Sequence, residues 1–188
     1  MKAVFNKQRN KNKNIYIVLT HTGSLLSRII KLYTKAEFSH VSISLDEGLN
    51  EMYSFGRLKP YNPFIGGFVH ESIRFGTFKR FQNTKAGIYS ITLTNKQYET
   101  IKRTIKKMKK KRKLYTFNIV GLFAIVFNIK YKKENSFYCA EFIKFLIDKA
   151  RLEVKLPELV KPNDFKNIDS IELKYHGILK NYEINNQS

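Results

Sequence analysis

The sequence predicts an α+β fold, because strand-like and helix-like segments are mixed along the chain without regular alternation. The length of 188 residues is typical of one domain. Hydrophobic residues make up 43% of the chain and aromatic residues 14%, which is enough for an ordinary core and excludes a largely disordered protein. We therefore expect a basic N-terminal arm over residues 1–14 and a single folded domain over residues 15–188.

The first part of the chain predicts a strand, a helix and a β-hairpin. NIYIVLT is rich in β-branched and aromatic residues and ends at the polar HTGS, which indicates a strand. In SLLSRIIKLYT the apolar residues follow the helical period, and Ser24 is the expected cap. FSHVSISL alternates between polar and apolar residues; with the turn DEGLN and the returning EMYSF it predicts a hairpin.

The following segments predict a loop, a strand, a basic helix and a last strand. RLKPYNPFIGGF holds two of the four prolines and, together with Gly56 before it, three glycines, so we expect a loop. AGIYSITLT and IELKYHGIL have strand composition. NKQYETIKRTIKKMKKK predicts a helix with Asn95 as its cap, because Ile101, Ile105 and Met108 form one helical stripe.

The most apolar stretch is FNIVGLFAIVFNI, Phe117–Ile129. Its 13 residues fall short of the ~20 that a membrane span needs, so we expect a buried helix. No apolar run of signal length follows the basic N-terminus. One cysteine cannot form an internal disulfide, which is typical of a reducing compartment. We therefore expect a cytoplasmic protein.

The charge is strongly unbalanced, with 35 Lys and Arg against 15 Asp and Glu, a net charge of +20. This balance favours anionic partners such as nucleic acid, acidic lipid headgroups or anionic polymers. Nine basic residues lie within Ile101–Lys113. The simpler interpretation of that segment is a surface helix with a solvated basic face, and the richness in Lys and Asn throughout the chain weakens any functional interpretation of the charge.

Cys139, the only cysteine, lies at the predicted start of an amphipathic helix in ENSFYCAEFIKFLIDKA. A free cysteine is most often a small buried filler. A helix N-terminus, however, carries about half a positive charge, which favours a thiolate, and its free N–H groups are able to hold an oxyanion. A catalytic role also requires a thiol that solvent partly reaches. Cys139 is therefore a candidate nucleophile.

A thiol nucleophile needs a histidine base that a third polar group orients. Of the four histidines, His40 is the best placed, because it lies on the polar face of the hairpin strand FSHVSISL. His21 follows the first strand and is expected at the mouth of a site, whereas His70 ends the predicted loop and His176 lies near the C-terminus.

The hairpin also suggests which residue orients His40. If the turn centres on Glu47, Ser54 lies opposite His40, and Ser54 is our first candidate. A shifted register brings Tyr53 opposite instead, and a bulge brings Glu51, whose carboxylate suits the chemistry better. The sequence leaves these alternatives open.

The segments FSHVSISLDEGLNEMYSF and, much later, NSFYCAEFIKFLI resemble the circularly permuted papain-like cysteine amidases and peptidases, the YiiX/YaeF-like branch of the NlpC superfamily. In that branch the histidine hairpin precedes the cysteine helix, as it does here, and relatives of lecithin:retinol acyltransferase share the order. The resemblance covers about Ile15 to Leu146, and IYIVLTHTGSLLSRIIKLYTKAEFSH is similar to the family's opening strand, loop and helix.

The resemblance implies an antiparallel, β-barrel-like sheet with the nucleophile helix packed against it. It also implies catalysis by Cys139 as nucleophile and His40 as base, with Ser54 near the third polar position, which is often glutamate in this branch. This departure puts the orienting residue in doubt. The implied activity is cleavage of an amide or ester bond, or acyl transfer, on a peptide, amide or lipid-ester substrate. We expect His21, Ser24 and Tyr138 to contact that substrate.

No His/Cys/Asp cluster has zinc-ligand spacing and no phosphate-binding glycine loop occurs, so we expect neither metal nor cofactor. The alternative function is a non-catalytic module that binds nucleic acid or an anionic surface through the basic helix and the N-terminal arm. Such binding would be dominated by phosphate contacts and would depend strongly on salt.

Overall fold

The computed structural model of the chain describes residues 12–24, 27–28, 31–32, 35–59, 62–127 and 129–185. Residues 1–11 of the predicted basic arm lie outside the described residues, and strand β1 already begins at Lys13. Of the helix predicted in SLLSRIIKLYT, the described residues Ser27, Arg28, Lys31 and Leu32 are helical. The apolar residues that form the predicted helical stripe lie outside the described residues: Leu25, Leu26, Ile29, Ile30 and Tyr33.

Eight strands form one mixed but mostly antiparallel sheet. Their bounds are β1 Lys13–His21, β2 His40–Ser44, β3 Met52–Lys59, β4 Asn62–Glu71, β5 Lys85–Leu93, β6 Thr116–Phe117, β7 Ser136–Phe137 and β8 Ile171–Ile178. The order across the sheet is β7-β6-β4-β3-β2-β1-β5-β8, and only the β6–β7 pair is parallel within the described chain. The α+β class is therefore confirmed. The expected barrel-like sheet is instead an open sheet with β7 and β8 at its edges.

Besides the helical residues 27–28 and 31–32, five helices accompany the sheet in the described residues: α1 Gly76–Arg80, α2 Asn95–Lys110, α3 Ile119–Ala124, α4 Cys139–Lys149 and α5 Leu179–Asn185. Short 3₁₀ turns cover Arg112–Leu114, Ile125–Phe127 and Pro162–Asn167.

The basic helix α2 forms as its periodicity predicts. Ile101, Ile105 and Met108 are buried, while the lysines of the opposite face are exposed. The predicted cap is wrong by one residue. Thr94 caps the helix in a reciprocal capping box with Gln97, and Asn95 is already the first helical residue.

The proline- and glycine-rich segment predicted as a loop is mostly strand. Its first residues end β3, and the segment from Asn62 onward forms β4, which pairs with β3 from Met52–Glu71 to Gly56–Gly67 and on to Arg57–Gly66. The glycines mark close backbone packing here rather than a turn. A Cβ on Gly66 would lie 2.7 Å from the Cβ of Phe117 and 2.9 Å from the carbonyl oxygen of Gly56.

The apolar segment around α3 is only partly buried, so the prediction of a buried helix is wrong. Gly121, Leu122 and Ile125 face inward, whereas Val120 is 56% exposed and Phe127 is 74% exposed. The reason is length, because a helix of six residues with a following 3₁₀ turn presents only one short face to the core. Within the described chain, no helix has the length and apolar character that crossing a membrane requires.

Helix α4, which begins at Cys139, packs against β2 and β3, as expected. It is held there by Phe142, Ile143, Leu146 and Ile147, which are buried on one face of the helix. The rings of Phe55 in β3 and Phe142 lie 5.2 Å apart between their centroids. Because aromatic and aliphatic burial fixes the helix to two central strands, the start of α4 has a rigid position relative to β2.

Candidate active site

Cys139 is the first residue of α4, directly after the N-cap residue Tyr138, whose backbone is extended. Glu141 in the first turn accepts a hydrogen bond from the Tyr138 backbone N–H, which helps to end the extended segment at this point. The cysteine is only 3% exposed, so the expectation of a partly accessible thiol is wrong. It nevertheless lines a pocket together with His40 and Glu71.

His40 is the first residue of β2, and its Nε2 lies near three oxygen atoms, of which Ser42 Oγ is the most distant at 3.4 Å. Nε2 lies 3.0 Å from Glu71 Oε1 and 3.2 Å from Ser54 Oγ. The Ser54 hydroxyl donates its proton to the carbonyl of Val41 at 2.9 Å, so it faces the imidazole as an acceptor. Nε2 therefore carries a proton and donates it toward Glu71 and Ser54.

Glu71 ends β4, one strand beyond the hairpin that holds His40. While Oε1 faces His40, its second oxygen Oε2 accepts a hydrogen bond from the hydroxyl of Ser42. Both carboxylate oxygens are thus engaged within the site. This fixes the carboxylate and, through it, the plane of the imidazole ring.

The pKa of His40 is raised from its ordinary value of 6.5 to about 10. Burial alone would lower this pKa, but the charge of Glu71 and the hydrogen bonds with Cys139 and Glu71 outweigh burial. The charged imidazolium is therefore the favoured form of His40 at neutral pH.

The structure brings the predicted nucleophile and the predicted base together, because Cys139 and His40 line the same pocket and the Cys139 side chain contributes to the raised pKa of His40. Since Nε2 faces Glu71 and Ser54, Nδ1 is the ring nitrogen that remains for the sulfur. A protonated ring beside the sulfur stabilises a thiolate, and so do the free N–H groups at the start of α4. The same N–H groups are able to donate hydrogen bonds to the oxyanion that would form if a thiolate at this position attacked a carbonyl group.

The predicted hairpin register is wrong by two residues. The pairs Ile43–Tyr53 and Ser44–Met52 define a register that, when extended, places Ser42 rather than His40 opposite Ser54. Ser54 still reaches the imidazole, because diagonal neighbours on adjacent strands lie within reach of a ring.

The two alternative orienting residues lie elsewhere. Tyr53 donates a hydrogen bond to Glu51, and its ring stacks on His70 with 4.8 Å between the ring centroids. The structure thus places neither Glu51 nor Tyr53 against His40.

Sequence reasoning missed Glu71 because it ends a segment whose prolines and glycines indicate a loop. One signal was present, since Glu71 is the only acidic residue between Glu51 and Glu99. A site that needs a carboxylate near the hairpin had no other source in that part of the chain.

The three expected substrate-contacting residues have different positions. Ser24 lines the pocket, and its hydroxyl accepts a long hydrogen bond of 3.4 Å from the Ser27 backbone N–H, consistent with its expected role as a cap. His21 contacts Ser39, a residue of the pocket wall, with Nδ1 3.2 Å from Ser39 Oγ. Tyr138 is buried beneath the site, and burial raises the pKa of its hydroxyl. Among the described residues, the pocket wall includes Ser24 but not His21 or Tyr138.

The pocket encloses about 600 Å³ of space including its open mouth. The cavity volume that compares with other ligand sites is about 60 Å³, which is below their usual range of ~300–1,000 Å³. Phe55, Phe78, Phe117 and Leu122 form the apolar part of its wall. Within the described residues, no group of three or more His, Cys, Asp or Glu side chains is arranged to hold a metal ion.

Comparison with protein-family models finds no match for the chain, and comparison with curated proteins finds none either. The functional argument therefore depends on the geometry of the site.

Proposed function

We propose that the protein is a cysteine-dependent hydrolase or acyltransferase that acts on an amide or ester bond. The observation that carries the proposal is the cluster of Cys139, His40 and Glu71 in one pocket, with His40 hydrogen-bonded to Glu71. A buried cysteine that only fills space needs neither a charged histidine nor a carboxylate behind that histidine.

In the proposed reaction the proton of the Cys139 thiol resides on His40, and Glu71 stabilises the resulting imidazolium. The thiolate attacks the substrate carbonyl, and the developing oxyanion is held by N–H groups at the start of α4. The tetrahedral intermediate then breaks its bond to the leaving group, which takes the proton from His40.

The product of this step is a thioester between the acyl group and Cys139. Water, or another nucleophile in the case of acyl transfer, gives a proton to the now neutral His40 and attacks the thioester carbonyl. Collapse of the second intermediate releases the acyl product, and the Cys139 sulfur leaves as the thiolate beside the imidazolium. Over one cycle, the proton that His40 gives to the leaving group is therefore replaced by one from the water or other nucleophile.

We also propose that the fold is a permuted papain-like fold. Support comes from the order of the site residues along the chain, with the histidine strand first and the cysteine helix after it. Glu71 adds further support, because it supplies a glutamate to the third polar position, where the sequence alone suggested Ser54.

A second candidate function is binding of nucleic acid or an anionic surface through α2. The observation in its favour is the exposed row of Lys102, Lys106, Lys109 and Lys110 on that helix. This function does not use the site around Cys139, so the two proposals are separable by experiment.

Hydrolysis of a panel of activated esters and amides tests the proposed function. We expect turnover by the wild-type protein, almost none by Cys139→Ala, and a loss of at least about 100-fold, or ~2.7 kcal/mol of barrier, in His40→Asn. His176→Asn is the matched control, because that histidine is exposed and pairs with Glu37 away from the pocket. Equal turnover by wild type and Cys139→Ala would exclude the proposal.

A further inference from the structure

Arg57 is the one arginine in the wall of the site pocket among the described residues. It follows Gly56 in β3, and a Cβ at position 56 would lie 3.4 Å from His40 Cε1 and 3.8 Å from Glu71 Oε1. Arg57 is therefore the residue after a glycine whose side-chain position would lie beside both His40 and Glu71. It also lines an adjoining pocket beside α1, so it lies at the border of the two spaces.

The side chain of Arg57 is half-buried, and among the described residues no carboxylate forms an ion pair or a hydrogen bond with it. Its guanidinium lies over the ring of Phe81, with Cζ 5.4 Å from the ring centroid. No carboxylate or other acceptor of the described chain hydrogen-bonds to it. Stacking uses the flat face of a guanidinium and leaves its N–H donors at the edge unsatisfied.

The surroundings of Arg57 supply positive charge but no free carboxylate. Glu71 attracts Arg57, but both of its oxygens are engaged by His40 and Ser42. The neighbouring Arg80 repels it, and burial together with this repulsion lowers the pKa of Arg57. A bound anion would satisfy the donors and relieve the repulsion at the same time.

The apolar residues of the pocket wall indicate the chemistry of the rest of such a ligand. Phe55, Phe78, Phe117 and Leu122 offer an apolar surface close to Cys139. A ligand that matches the whole pocket therefore combines an apolar part with a carboxylate or phosphate.

We propose that Arg57 is the residue that selects the substrate, by binding an anionic group carried by an otherwise apolar acyl ester or amide. This inference rests on the proposed function for the identity of the reacting bond. The binding of an anionic amphiphile beside Cys139 is a separate claim that requires no turnover.

Alkylation of Cys139, the only cysteine, tests the inference with two reagents of similar size. Iodoacetate carries a carboxylate and iodoacetamide does not. We expect Arg57→Met to lower the rate of labelling by iodoacetate about 10-fold or more relative to iodoacetamide, as expected for loss of a charge-assisted hydrogen bond. Arg57→Lys keeps the charge but loses the planar fork, so its loss is intermediate. Arg103→Met on the exposed side of α2 removes the same charge and leaves the ratio unchanged.

Binding measured by titration calorimetry on the Cys139→Ala protein separates this inference from the proposed function. The probes are octanoate, octyl phosphate and the neutral octanamide. When Arg57 is present, we expect both anions to bind at least about 10-fold more tightly than octanamide. In the Arg57→Met variant we expect this preference for the anions to be lost. The tighter of the two anions shows whether the site prefers a carboxylate or a phosphate. If all three probes bind equally, or if Arg57→Met leaves the anions bound as before, the inference is wrong even when the enzyme is active. If the anion preference depends on Arg57 but no substrate is turned over, the inference holds and the proposed function fails.

Discussion

At the residue scale, Glu71 explains the positive charge of His40 better than Ser54 does. Both contact Nε2, but only Glu71 carries a charge that stabilises an imidazolium. Ser54 already donates its proton to the Val41 carbonyl, so it offers one neutral acceptor. The carboxylate is therefore the main orienting and stabilising group, and Ser54 has a supporting role.

The two orienting residues should differ in their effect on turnover. We expect Ser54→Ala to lower kcat/KM by about 10-fold or less, a little over 1 kcal/mol of barrier. Glu71→Gln keeps the shape of the side chain but removes its charge, and we expect a loss of at least about 100-fold. Steady-state kinetics on an ester that the wild type hydrolyses checks both values. A larger effect of Ser54→Ala than of Glu71→Gln would mean that the neutral contact dominates.

The raised pKa of His40 predicts how the stability of the fold depends on pH. Because its pKa in the folded protein, about 10, lies above the ordinary 6.5, the ion pair with Glu71 stabilises the fold fully below pH 6.5. That stabilisation is lost as the pH rises through about 10.

Imidazole ¹⁵N resonances followed against pH test this directly. We expect His40 to stay protonated at pH 8 in the wild-type protein. Glu71→Gln removes the largest influence that raises the pKa, while burial, which lowers it, remains. The midpoint for His40 should therefore fall in this variant, and the rings of His70 and His176 serve as internal references. An unchanged midpoint would show that Glu71 does not control the charge of His40.

At the scale of elements, the sequence predicts the structure well where one periodicity dominates. The alternation in FSHVSISL gives β2, and the stripe of Ile101, Ile105 and Met108 gives the buried face of α2. β4 has no such signal, because Pro63, Gly66 and Gly67 indicate a loop when long-range partners are unknown. The carboxylate of the site lies at the end of that strand, so the error in β4 is the reason that Glu71 was missed.

A substitution at Gly66 tests the close packing of β4 against Phe117 and the backbone of Gly56. A methyl group there would overlap Phe117 and the backbone of Gly56, so Gly66→Ala should lower the free energy of unfolding by about 1–3 kcal/mol. Gly48→Ala is the control, because its new methyl group would meet the end of the flexible Asn50 side chain, which is able to move away. Urea denaturation of both variants gives the comparison. Equal stability of the two variants would contradict the close approach of β4 to Phe117.

Substitution of the lysines on the exposed face of α2 tests the second candidate function, which is binding of nucleic acid or an anionic surface. Replacement of Lys102, Lys106, Lys109 and Lys110 by glutamine should leave the fold intact, because surface substitutions usually change stability by less than ~0.5 kcal/mol each. If the face binds anions, affinity for nucleic acid or acidic vesicles in low salt should fall markedly. Unchanged affinity would show that these lysines only keep the protein in solution. Turnover at Cys139 should be unaffected in either case.

At the scale of the whole molecule, the site is assembled from residues that are distant in the sequence. His40 and Glu71 lie on strands β2 and β4, with β3 between them, and Cys139 lies on the helix that packs against β2 and β3. The helix start and the polar strand face identified Cys139 and His40 as candidates. Their partner Glu71 could not be identified in this way, because it depends on the order of strands in the sheet and on the register between them.

The most direct test of the proposal that Cys139 is the nucleophile is to find which residue carries the acyl group within a single turnover. The protein is mixed with a small excess of an activated ester, quenched in acid within the first turnover, digested and analysed by mass spectrometry. We expect the acyl group on Cys139 in the wild type, a longer-lived adduct at the same position in Glu71→Gln, and no adduct there in Cys139→Ala. An acyl group found only on lysines, at the same rate in wild type and Cys139→Ala, would show that Cys139 is not a nucleophile.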